Sequence, residues 1–496
     1  MTVRRSILVL VAVCGTLIKL PAQSAASVTP VMDAWWARTS HRSPGKWGIV
    51  VADQSGKVLW QVNQAEPMIP ASTVKVLTTG FARTAVGGDA RRATRVVGTG
   101  QVDTANGTWL GRWALELNGD VTLERPDREG PTLLQLAQQL FAIGIRRLVG
   151  PLDVITTGGT QARSSYPAVW ADRFKGRIYA PPIGPVTLNE NLIHVTVGPG
   201  PRVGSHTVVI GDAPAGVGAL VEMAATTVSG RGKGLYFTSL GNGHWRVTGS
   251  IGINGKPRGF QSVSTDPTAV LEAAWQRATT TAGIQWIRAS AMSAPGMPNR
   301  HVLAEVASET FDSIAHEVNT RSLNIGAEMM LLWGGGLIKP AIQLTEFVRK
   351  VTGLDGVHLV DGSGLSEEDR VSPLVFTTYL AKIPQTAAGK NFPLLLPANG
   401  FGTLRRLGSG LPGPGVVRAK TGTLTDVVTL VGYLGREDGT LIIAAMYNGG
   451  AQYSARQAQW DLFRRLGAHG VVVPTDFGDA VAGGPPLDGI TSHIEH

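Results

Sequence analysis

Hydrophobic and polar positions near both ends of the chain alternate in the way that is typical of β-strands. "GIVVAD" and "KVLWQVN" flank the polar turn "QSGK", and this arrangement predicts a β-hairpin. Three further β-branched runs lie near the C-terminus: "VVRAKTGTL", "VVTLVGYL" and "TLIIAAMYN". We expect these two distant groups of strands to share one antiparallel sheet.

Other segments carry hydrophobic residues with the period of an α-helix. The clearest are "TVKVLTTGFARTA", "VLAEVASETFDSIAHEV" and "QAQWDLFRRL". In the second segment the predicted apolar face consists of Leu303, Val306, Phe311, Ile314 and Val318. The outer thirds of the chain are therefore predicted to form one α/β (α+β) domain, in which helices flank an antiparallel sheet.

The middle of the chain has a different texture. Short strand-like runs such as "RRLVGPLDVI", "NLIHVTVG" and "HTVVIG" are interrupted by many glycines and prolines, which is typical of β-rich modules. We expect one or two β-rich inserted domains at 91–299, between the two parts of the split domain at 27–90 and 300–475. Residues 476–496 carry turn formers and little periodicity, so they are predicted to be a loose tail.

The N-terminus has the features of a secretory signal peptide. Arg4 and Arg5 precede the apolar run "SILVLVAVCGTLI", and "AQSAAS" offers small residues for cleavage near Ala26. The apolar run is short for a membrane span. Residues 1–26 are therefore predicted to be a signal peptide that directs the chain to the periplasm or another extracytoplasmic space. The only cysteine, Cys14, would leave with this segment.

Composition and charge narrow the classes of partner. A hydrophobic content of 43% is ordinary for a globular protein, and the formal net charge is +9. The densest basic clusters, "ARRATR" and "FRRLG", lack the interleaved aromatic residues of single-strand binders, which argues against nucleic-acid binding. We expect contact with a membrane surface or an anionic polymer of the cell envelope instead.

The stretch "PASTVKVLTTG" contains an S-x-x-K motif, Ser72 and Lys75, at a predicted helix start. One helical turn brings the amine beside the hydroxyl, and a lysine can take the serine proton if burial or a second cation lowers its pKa. A second S-x-x-K motif runs from Ser43 to Lys46, but it contains proline and glycine and does not favour a helix. Because such motifs also occur by chance, this one does not decide the function alone.

The segment "AKTGT" supplies Lys420, Thr421, Gly422 and Thr423 inside a predicted strand. Lys420 would be a second cation that lowers the pKa of Lys75 and holds a substrate carboxylate. Gly422 would allow another backbone to approach, and the Thr423 N–H would face a substrate carbonyl oxygen. The alternative is an ordinary solvated lysine at the end of a strand.

The segment "TRSLNIGAEMMLLWGGG" places Ser322 and Asn324 between two predicted helices. Ser322 would relay a proton toward a leaving amine, and the amide of Asn324 would orient a substrate amide or a catalytic lysine. The alternative is that both residues are helix N-caps, which are often serine or asparagine.

The ordered set S-x-x-K, S-x-N and K-T-G resembles the motifs of the penicillin-recognising serine acyltransferases. The resemblance is closest to the class C low-molecular-mass penicillin-binding proteins, the penicillin-binding protein 4 type of D-alanyl-D-alanine carboxypeptidase and endopeptidase. Four more stretches carry it: "LNGDVTL", "TLNENLIHVTV", "VDGSGLSEEDRVSP" and the "GTL" at 402–404. The long interval between Lys75 and Ser322 also resembles this family, in which it holds inserted domains.

This resemblance implies a β-lactamase/transpeptidase-like catalytic domain and a set of residue roles. Ser72 would be the acylated nucleophile, Lys75 its base, and Ser322 with Asn324 would complete the proton relay. Three features depart from the family pattern: Leu323 stands in the middle of S-x-N, Val121 stands where a proline is expected, and the stretch "SSYPAVWADRFKGRIYAPP" resembles the family only loosely.

The same resemblance implies how substrates bind. Lys420 and Thr421 would grip a terminal carboxylate, and the N–H groups of Ser72 and Thr423 would form the oxyanion hole. The expected substrates are peptidoglycan stem peptides and the expected covalent inhibitors are β-lactams, with no metal and no cofactor. Two alternatives stay open: a β-lactamase or esterase with the same motifs, and a non-hydrolytic protein that binds peptidoglycan or senses β-lactams.

Overall fold

The computed structural model describes residues 25–289, 297 and 299–475. Most of the predicted signal peptide, up to residue 24, and the predicted tail at 476–496 lie outside the described residues. In the part of the chain that is described, no helix is long and apolar enough to cross a membrane.

The described residues form nine α-helices and twenty β-strands. The helices are α1 (Ala25–Arg42), α2 (Val74–Val86), α3 (Leu133–Ala142), α4 (Pro267–Thr281), α5 (Phe311–Arg321), α6 (Asn324–Gly335), α7 (Pro340–Thr352), α8 (Pro373–Lys382) and α9 (Gln452–Leu466). The strands are β1 (Lys46–Ala52), β2 (Val58–Val62), β3 (Ala93–Asp103), β4 (Thr108–Glu116), β5 (Arg147–Val149), β6 (Asp153–Ile155), β7 (Leu192–Gly198), β8 (Val208–Ala213), β9 (Val221–Met223), β10 (Thr226–Val228), β11 (Gly234–Gly241), β12 (His244–Gly252), β13 (Arg258–Val263), β14 (Gln285–Ile287), β15 (His301–Ala307), β16 (Val357–His358), β17 (Arg370–Val371), β18 (Val417–Leu424), β19 (Val427–Arg436) and β20 (Gly439–Asn448).

A five-stranded antiparallel sheet joins the two ends of the chain. Its strand order is β18-β19-β20-β1-β2, so the N-terminal hairpin pairs with the three C-terminal strands. The pairing of β1 with β20 sets Ile49 opposite Ala445. The shared sheet predicted from the two groups of alternating segments is confirmed.

Helices cover both faces of this sheet. Along β20, Ile442 and Ala444 face a core that contains residues of α2, α5, α6, α7 and α8, whereas Ile443 and Ala445 face a second core with residues of α1 and α9. Since successive side chains of a strand point to opposite faces, a sheet covered on both faces needs apolar residues at every position. The continuous run "LIIAAM" meets this requirement.

The region between α2 and α5 forms two further large cores and one small cluster. A six-stranded sheet of β3, β4, β5, β6, β14 and β15 packs with α3 and α4, and the other strands from β7 to β13 form a three-stranded and a four-stranded sheet. The region is β-rich, but the sequence analysis did not predict its two helices. We propose that the chain divides into a split catalytic part and an inserted part. Because β15 still pairs with β3 of the inserted part, we place the point where the catalytic part resumes after Ala307.

The prediction of a helix that begins near Leu303 is wrong for the first part of the segment. His301–Ala307 is a strand whose backbone pairs with β3, and only Phe311–Arg321 is helical. The side chain of Thr310 accepts a hydrogen bond from the Ser313 N–H and caps this shorter helix. Pairing with a distant strand thus overrides a local pattern that fits either structure.

Candidate active site

The candidate nucleophile, Ser72, lies in a tight turn immediately before α2. Residues Ala71–Thr73 form a single 3₁₀ turn, and Ala71 has φ +50°, which is unusual for a residue with a Cβ. The Thr73 hydroxyl donates a hydrogen bond of 2.7 Å to the Pro70 carbonyl and fixes the turn. The half-buried Ser72 is thereby held at the positive end of a buried helix.

Lys75 lies one turn further along α2 and is fully buried. Its Nζ is 3.0 Å from the Ser72 hydroxyl, 2.6 Å from the Asn324 Oδ1 and 2.5 Å from the Ser363 carbonyl oxygen. A neutral amine donates two hydrogen bonds and offers one lone pair. Because an amide oxygen and a carbonyl oxygen can only accept, the Ser72 hydroxyl is the group of these three that can donate to the lone pair.

Burial lowers the pKa of Lys75 to about 7, and three carboxylates (Asp361, Glu328 and Asp369) act in the opposite direction. The pKa of Lys75 is thus placed where a large fraction of the amine is neutral at pH 7. The sequence-based expectation that Lys420 causes this lowering is wrong: burial is the main cause. It is the pKa of Lys420 that falls well below its usual value, through burial, the nearby Lys75 and Arg456.

A buried loop beside Lys75 contributes carboxylates to which the sequence analysis assigned no role. Asp361 accepts hydrogen bonds from the backbone N–H groups of Gly364 (2.6 Å) and Ser366 (2.7 Å). Glu328 of α6 accepts from the Ser363 N–H at 2.8 Å, and burial raises its pKa to about 8. These bonds fix the Ser363 carbonyl that faces Lys75. The stretch "VDGSGLSEEDRVSP" was noted for its resemblance, but its pattern alone does not indicate these contacts.

Ser322 and Asn324 lie at the junction of α5 and α6. Ser322 has φ +60° at the end of α5, and its hydroxyl accepts a hydrogen bond of 2.9 Å from the Lys420 Nζ. The Asn324 amide donates to the Tyr179 carbonyl at 2.8 Å, which turns its Oδ1 toward Lys75. Neither side chain caps α6, where Leu323 occupies the N-cap position.

The K-T-G segment lies on β18, at the edge of the central sheet. Lys420 is fully buried, and its Nζ also donates to the Thr421 carbonyl at 2.7 Å. The Ala419 N–H points away from β19, since it donates to the Pro397 carbonyl. Because backbone direction alternates along a strand, the N–H groups of Thr421 and Thr423 face the same open edge. A peptide could add to the sheet there.

Gly422 brings β18 against the nucleophile turn. A Cβ at this position would lie 2.2 Å from the Thr429 Oγ1, 2.7 Å from the Pro70 carbonyl oxygen and 3.0 Å from the Ser72 nitrogen. A residue with a side chain would therefore push the strand away from the turn. The glycine in the predicted strand marks a close backbone approach, as its sequence context indicated.

Arg456 of α9 supports the same strand and was missed by the sequence analysis. Its guanidinium donates to the Gly422 carbonyl at 2.6 Å, to the Thr423 Oγ1 at 3.1 Å and to the Thr429 carbonyl at 3.0 Å. Burial lowers the pKa of Arg456 to about 10. In the sequence it is one of several basic residues on an amphipathic helix, and nothing local distinguishes it.

The eight predicted site residues thus gather around one point, where α2, the α5–α6 junction and β18 meet. Lys75 contacts Ser72 and Asn324, Lys420 contacts Ser322 and Thr421, and Gly422 joins the two groups. Among residues 25–289, 297 and 299–475, no group of histidine, cysteine and carboxylate side chains is arranged to hold a metal ion.

A comparison with protein-family models matches residues 39–466 to the model described as the D-Ala-D-Ala carboxypeptidase 3 (S13) family. The chain belongs to this family. It is accordingly a serine hydrolase with DD-peptidase activity, and the family resemblance drawn from the motifs is confirmed.

Individual relatives agree with this assignment. A D-alanyl-D-alanine carboxypeptidase of Actinomadura sp. (strain R39) is 26% identical in an alignment of 435 residues, and the match covers 81% of this chain and 77% of the relative. The crystal structure of penicillin-binding protein 4 of Haemophilus influenzae is similar in fold, with 20% identity and a TM-score of 0.68 over 87% of this chain and 98% of that chain. The same Haemophilus protein in complex with a β-lactam gives 20% identity and a TM-score of 0.63, over 87% and 99%. The predicted fold class is confirmed.

Proposed function

We propose that the chain is an exported serine DD-peptidase that cleaves the terminal D-Ala, or a cross-link that ends in D-Ala, from peptidoglycan stem peptides. In the first half-reaction the neutral amine of Lys75 takes the Ser72 proton, and the Ser72 oxygen attacks the carbonyl carbon of the scissile bond. The N–H groups of Ser72 and Thr423 stabilise the oxyanion. This hole forms where the helix N-terminus meets the edge of β18.

Collapse of the tetrahedral intermediate breaks the C–N bond and leaves an acyl-serine. The proton that Lys75 took from Ser72 is passed to the departing amine by way of Lys420 and Ser322, whose hydroxyl oxygen lies 2.9 Å from the Lys420 Nζ, so that Lys75 becomes neutral again. Water then attacks the acyl carbon while neutral Lys75 takes its proton. The ester C–O bond breaks, Lys75 returns the proton to the Ser72 oxygen, and the shortened peptide leaves. A terminal carboxypeptidase and an endopeptidase share all of these steps and differ only in the departing amine.

Lys420 and Thr421 hold the terminal carboxylate of the substrate in this proposal. The low pKa of Lys420 in the free site favours its neutral form. An arriving carboxylate would raise that pKa and stabilise the charged form of Lys420. The enzyme should therefore prefer substrates that end in a free carboxylate.

The single observation that carries the proposal is the set of contacts around Lys75. The side chain is buried, its amide and carbonyl partners can only accept, and the serine hydroxyl is the remaining contact at 3.0 Å. Taking up that hydroxyl proton is the chemistry that this arrangement supports best.

Purified wild-type protein and the Ser72→Ala variant should be incubated with a stem pentapeptide that ends in D-Ala-D-Ala and with a cross-linked muropeptide dimer. Mass spectrometry should detect released D-Ala or separated dimers for the wild type alone. The control is Ser43→Ala, which removes the serine of the second S-x-x-K motif; Ser43 binds the Ser454 hydroxyl at 2.9 Å and should be dispensable. Product release by Ser72→Ala would overturn the proposal, and rapid turnover of penicillin without peptide cleavage would favour a β-lactamase.

We also propose that the predicted signal peptide exports the chain.

We further propose that an anionic envelope polymer binds the inserted part. An open groove of about 530 Å³ in this part is lined by Arg231, Lys256 and Arg258, and no Asp or Glu occurs between Glu222 and Asp266. A concave groove admits a polymer chain more readily than a flat lipid surface. Purified envelope polymer should therefore co-sediment with the wild type and not with a K256Q/R258Q variant; binding of both proteins to anionic vesicles alone would contradict this assignment.

A further inference from the structure

Three consecutive residues of the inserted part have an unusual backbone conformation. Asn189, Glu190 and Asn191 have φ values of +45°, +59° and +54°, a region that residues with a Cβ rarely occupy. All three are buried. They belong to the stretch "TLNENLIHVTV", which the motif analysis noted without a role. A conformation of this kind persists only where the surroundings enforce it.

The two asparagines enforce this turn with their own side chains. The Asn191 amide donates to the Pro182 carbonyl at 2.9 Å and to the Val186 carbonyl at 3.1 Å, and its oxygen accepts from the Leu188 N–H. The Asn189 amide donates to the Leu192 carbonyl at 3.0 Å. The turn is thus a rigid platform that presents the carboxylate of Glu190 in a fixed position.

Glu190 forms a two-pronged ion pair with Arg321, the last residue of α5. The two contacts from the guanidinium to the carboxylate oxygens measure 2.5 and 2.8 Å. Paired contacts of this type fix orientation as well as distance. The residue that follows Arg321 is Ser322, the proposed proton relay, so the ion pair acts on the backbone immediately before it.

A second ion-pair group holds the same turn of α5. Glu317, one helical turn before Arg321, accepts from both Arg125 and Arg128 at 2.7 Å. Burial opposes the ionisation of Glu317, but these arginines and Arg321 lower its pKa to about 2. The C-terminal turn of α5 is therefore clamped by residues of the inserted part.

The position of the Ser322 hydroxyl depends on the ion pairs that hold the C-terminal turn of α5. Ser322 has φ +60° at the end of the helix, and its hydroxyl must meet the Lys420 Nζ, which is 2.9 Å away. The same platform also supports the other side of the site: the carbonyls that Asn191 binds belong to the segment that supplies the Tyr179 carbonyl to Asn324. Both elements of the S-x-N motif are thus fixed by the inserted part.

We propose that Glu190 is a positioning residue for acyl transfer, which acts through Arg321 to hold the Ser322 hydroxyl against Lys420. This inference rests on the relay role of Ser322 in the proposed function. It assigns the inserted part a role in the chemistry. A loss of the ion pair should slow proton transfer while the binding of the ligand stays nearly unchanged.

The test measures acylation by a fluorescent penicillin, with the acylation rate constant separated from the dissociation constant of the initial complex. We expect Glu190→Gln to lower the rate constant about 10- to 100-fold, the scale of a small misplacement of a reacting group, and to change the dissociation constant less than about twofold. Arg321→Lys, which keeps the charge but loses the paired contacts, should behave in the same way. If Glu190→Gln does not fold, Arg321→Lys provides the test of the ion pair.

The matched control removes a similar ion pair from the other end of the same helix. Arg83 contacts Asp312 with two bonds of 2.7 and 2.6 Å, ten residues before Ser322. Asp312→Asn should keep the wild-type acylation rate constant within about twofold even if its melting temperature falls. An equal loss of rate in this control, or wild-type rates in Glu190→Gln and Arg321→Lys, would overturn the inference. A wild-type protein that is not acylated at Ser72 would instead refute the proposed function.

Discussion

At the scale of single residues, the site is governed by how a buried amine is satisfied. Lys75 has three oxygen neighbours. The Asn324 amide group donates to the Tyr179 carbonyl, so the atom that Asn324 turns toward Lys75 is its oxygen, which can only accept a hydrogen bond. Burial favours the neutral amine and nearby carboxylates favour the ammonium ion. The balance keeps the pKa close to neutrality, where a base is most effective.

The rate of acylation should therefore rise with pH through about 7 as Lys75 loses its proton. In Asp361→Asn this rise should move to lower pH, because a carboxylate that stabilises the ammonium ion is gone. The variant should also melt earlier, since an NH₂ group would replace an oxygen that accepts from Ser366 and Trp170. Stopped-flow acylation between pH 5 and 9 checks the shift. A move to higher pH in the folded variant would contradict this account.

At the scale of elements, the active site is the place where β18 touches the turn before α2. The contact requires Gly422 on the strand and a left-handed glycine, Gly364 (φ +73°), in the loop beside the turn. A Cβ on Gly364 would lie 1.9 Å from the Ala71 carbonyl oxygen. The proposed oxyanion hole therefore depends on close packing between backbones.

Gly422→Ala should separate these elements. We expect a loss of stability of about 1–3 kcal/mol from overpacking and a fall in the acylation rate of about 100-fold. Gly450→Ala is the control, because a Cβ there would meet nothing within 4 Å. Thermal melts and penicillin labelling of both variants give the comparison, and normal labelling of folded Gly422→Ala would refute the proposed geometry of the oxyanion hole.

The same scale explains which parts of the structure could be predicted from the sequence. The central strands could be predicted, because a sheet that is buried on both faces requires long apolar runs between recognisable turns. Strand β15 could not, since the pattern around Leu303 fits a helix as well as a strand and only pairing with β3 decides. The reacting side chains lie in motifs, whereas the Ser363 carbonyl and Arg456 act through contacts that arise only after folding.

At the scale of the whole molecule, the proposed inserted part interrupts the proposed catalytic part in the sequence but contacts the helices that carry the candidate active site. Ion pairs from Arg125 and Glu190 reach α5, and the Tyr179 carbonyl reaches α6. These links are formed between residues more than 100 positions apart in the sequence. The inserted part and the catalytic part should therefore respond together when the network is weakened.

Glu317→Gln should destabilise the protein by about 3–5 kcal/mol at pH 7, because it leaves the buried Arg125 without its closest carboxylate. The pKa of Glu317 is lowered to about 2 in the folded protein, so its contribution is complete above the usual value near 4.5 and is lost as the pH falls through 2. The difference in melting temperature between wild type and variant should thus be large at pH 6 and shrink toward pH 2. A constant difference across this range would contradict the assigned role.

The central claim is that Lys75 activates Ser72 for acylation, and one measurement tests it most directly. Wild-type protein should be treated with benzylpenicillin, digested, and analysed by tandem mass spectrometry. The account predicts a penicilloyl adduct on the Ser72 hydroxyl, and strongly reduced formation of this adduct in a folded Lys75→Met variant. An adduct on another serine, or an equal rate of adduct formation without the Lys75 amine, would contradict it.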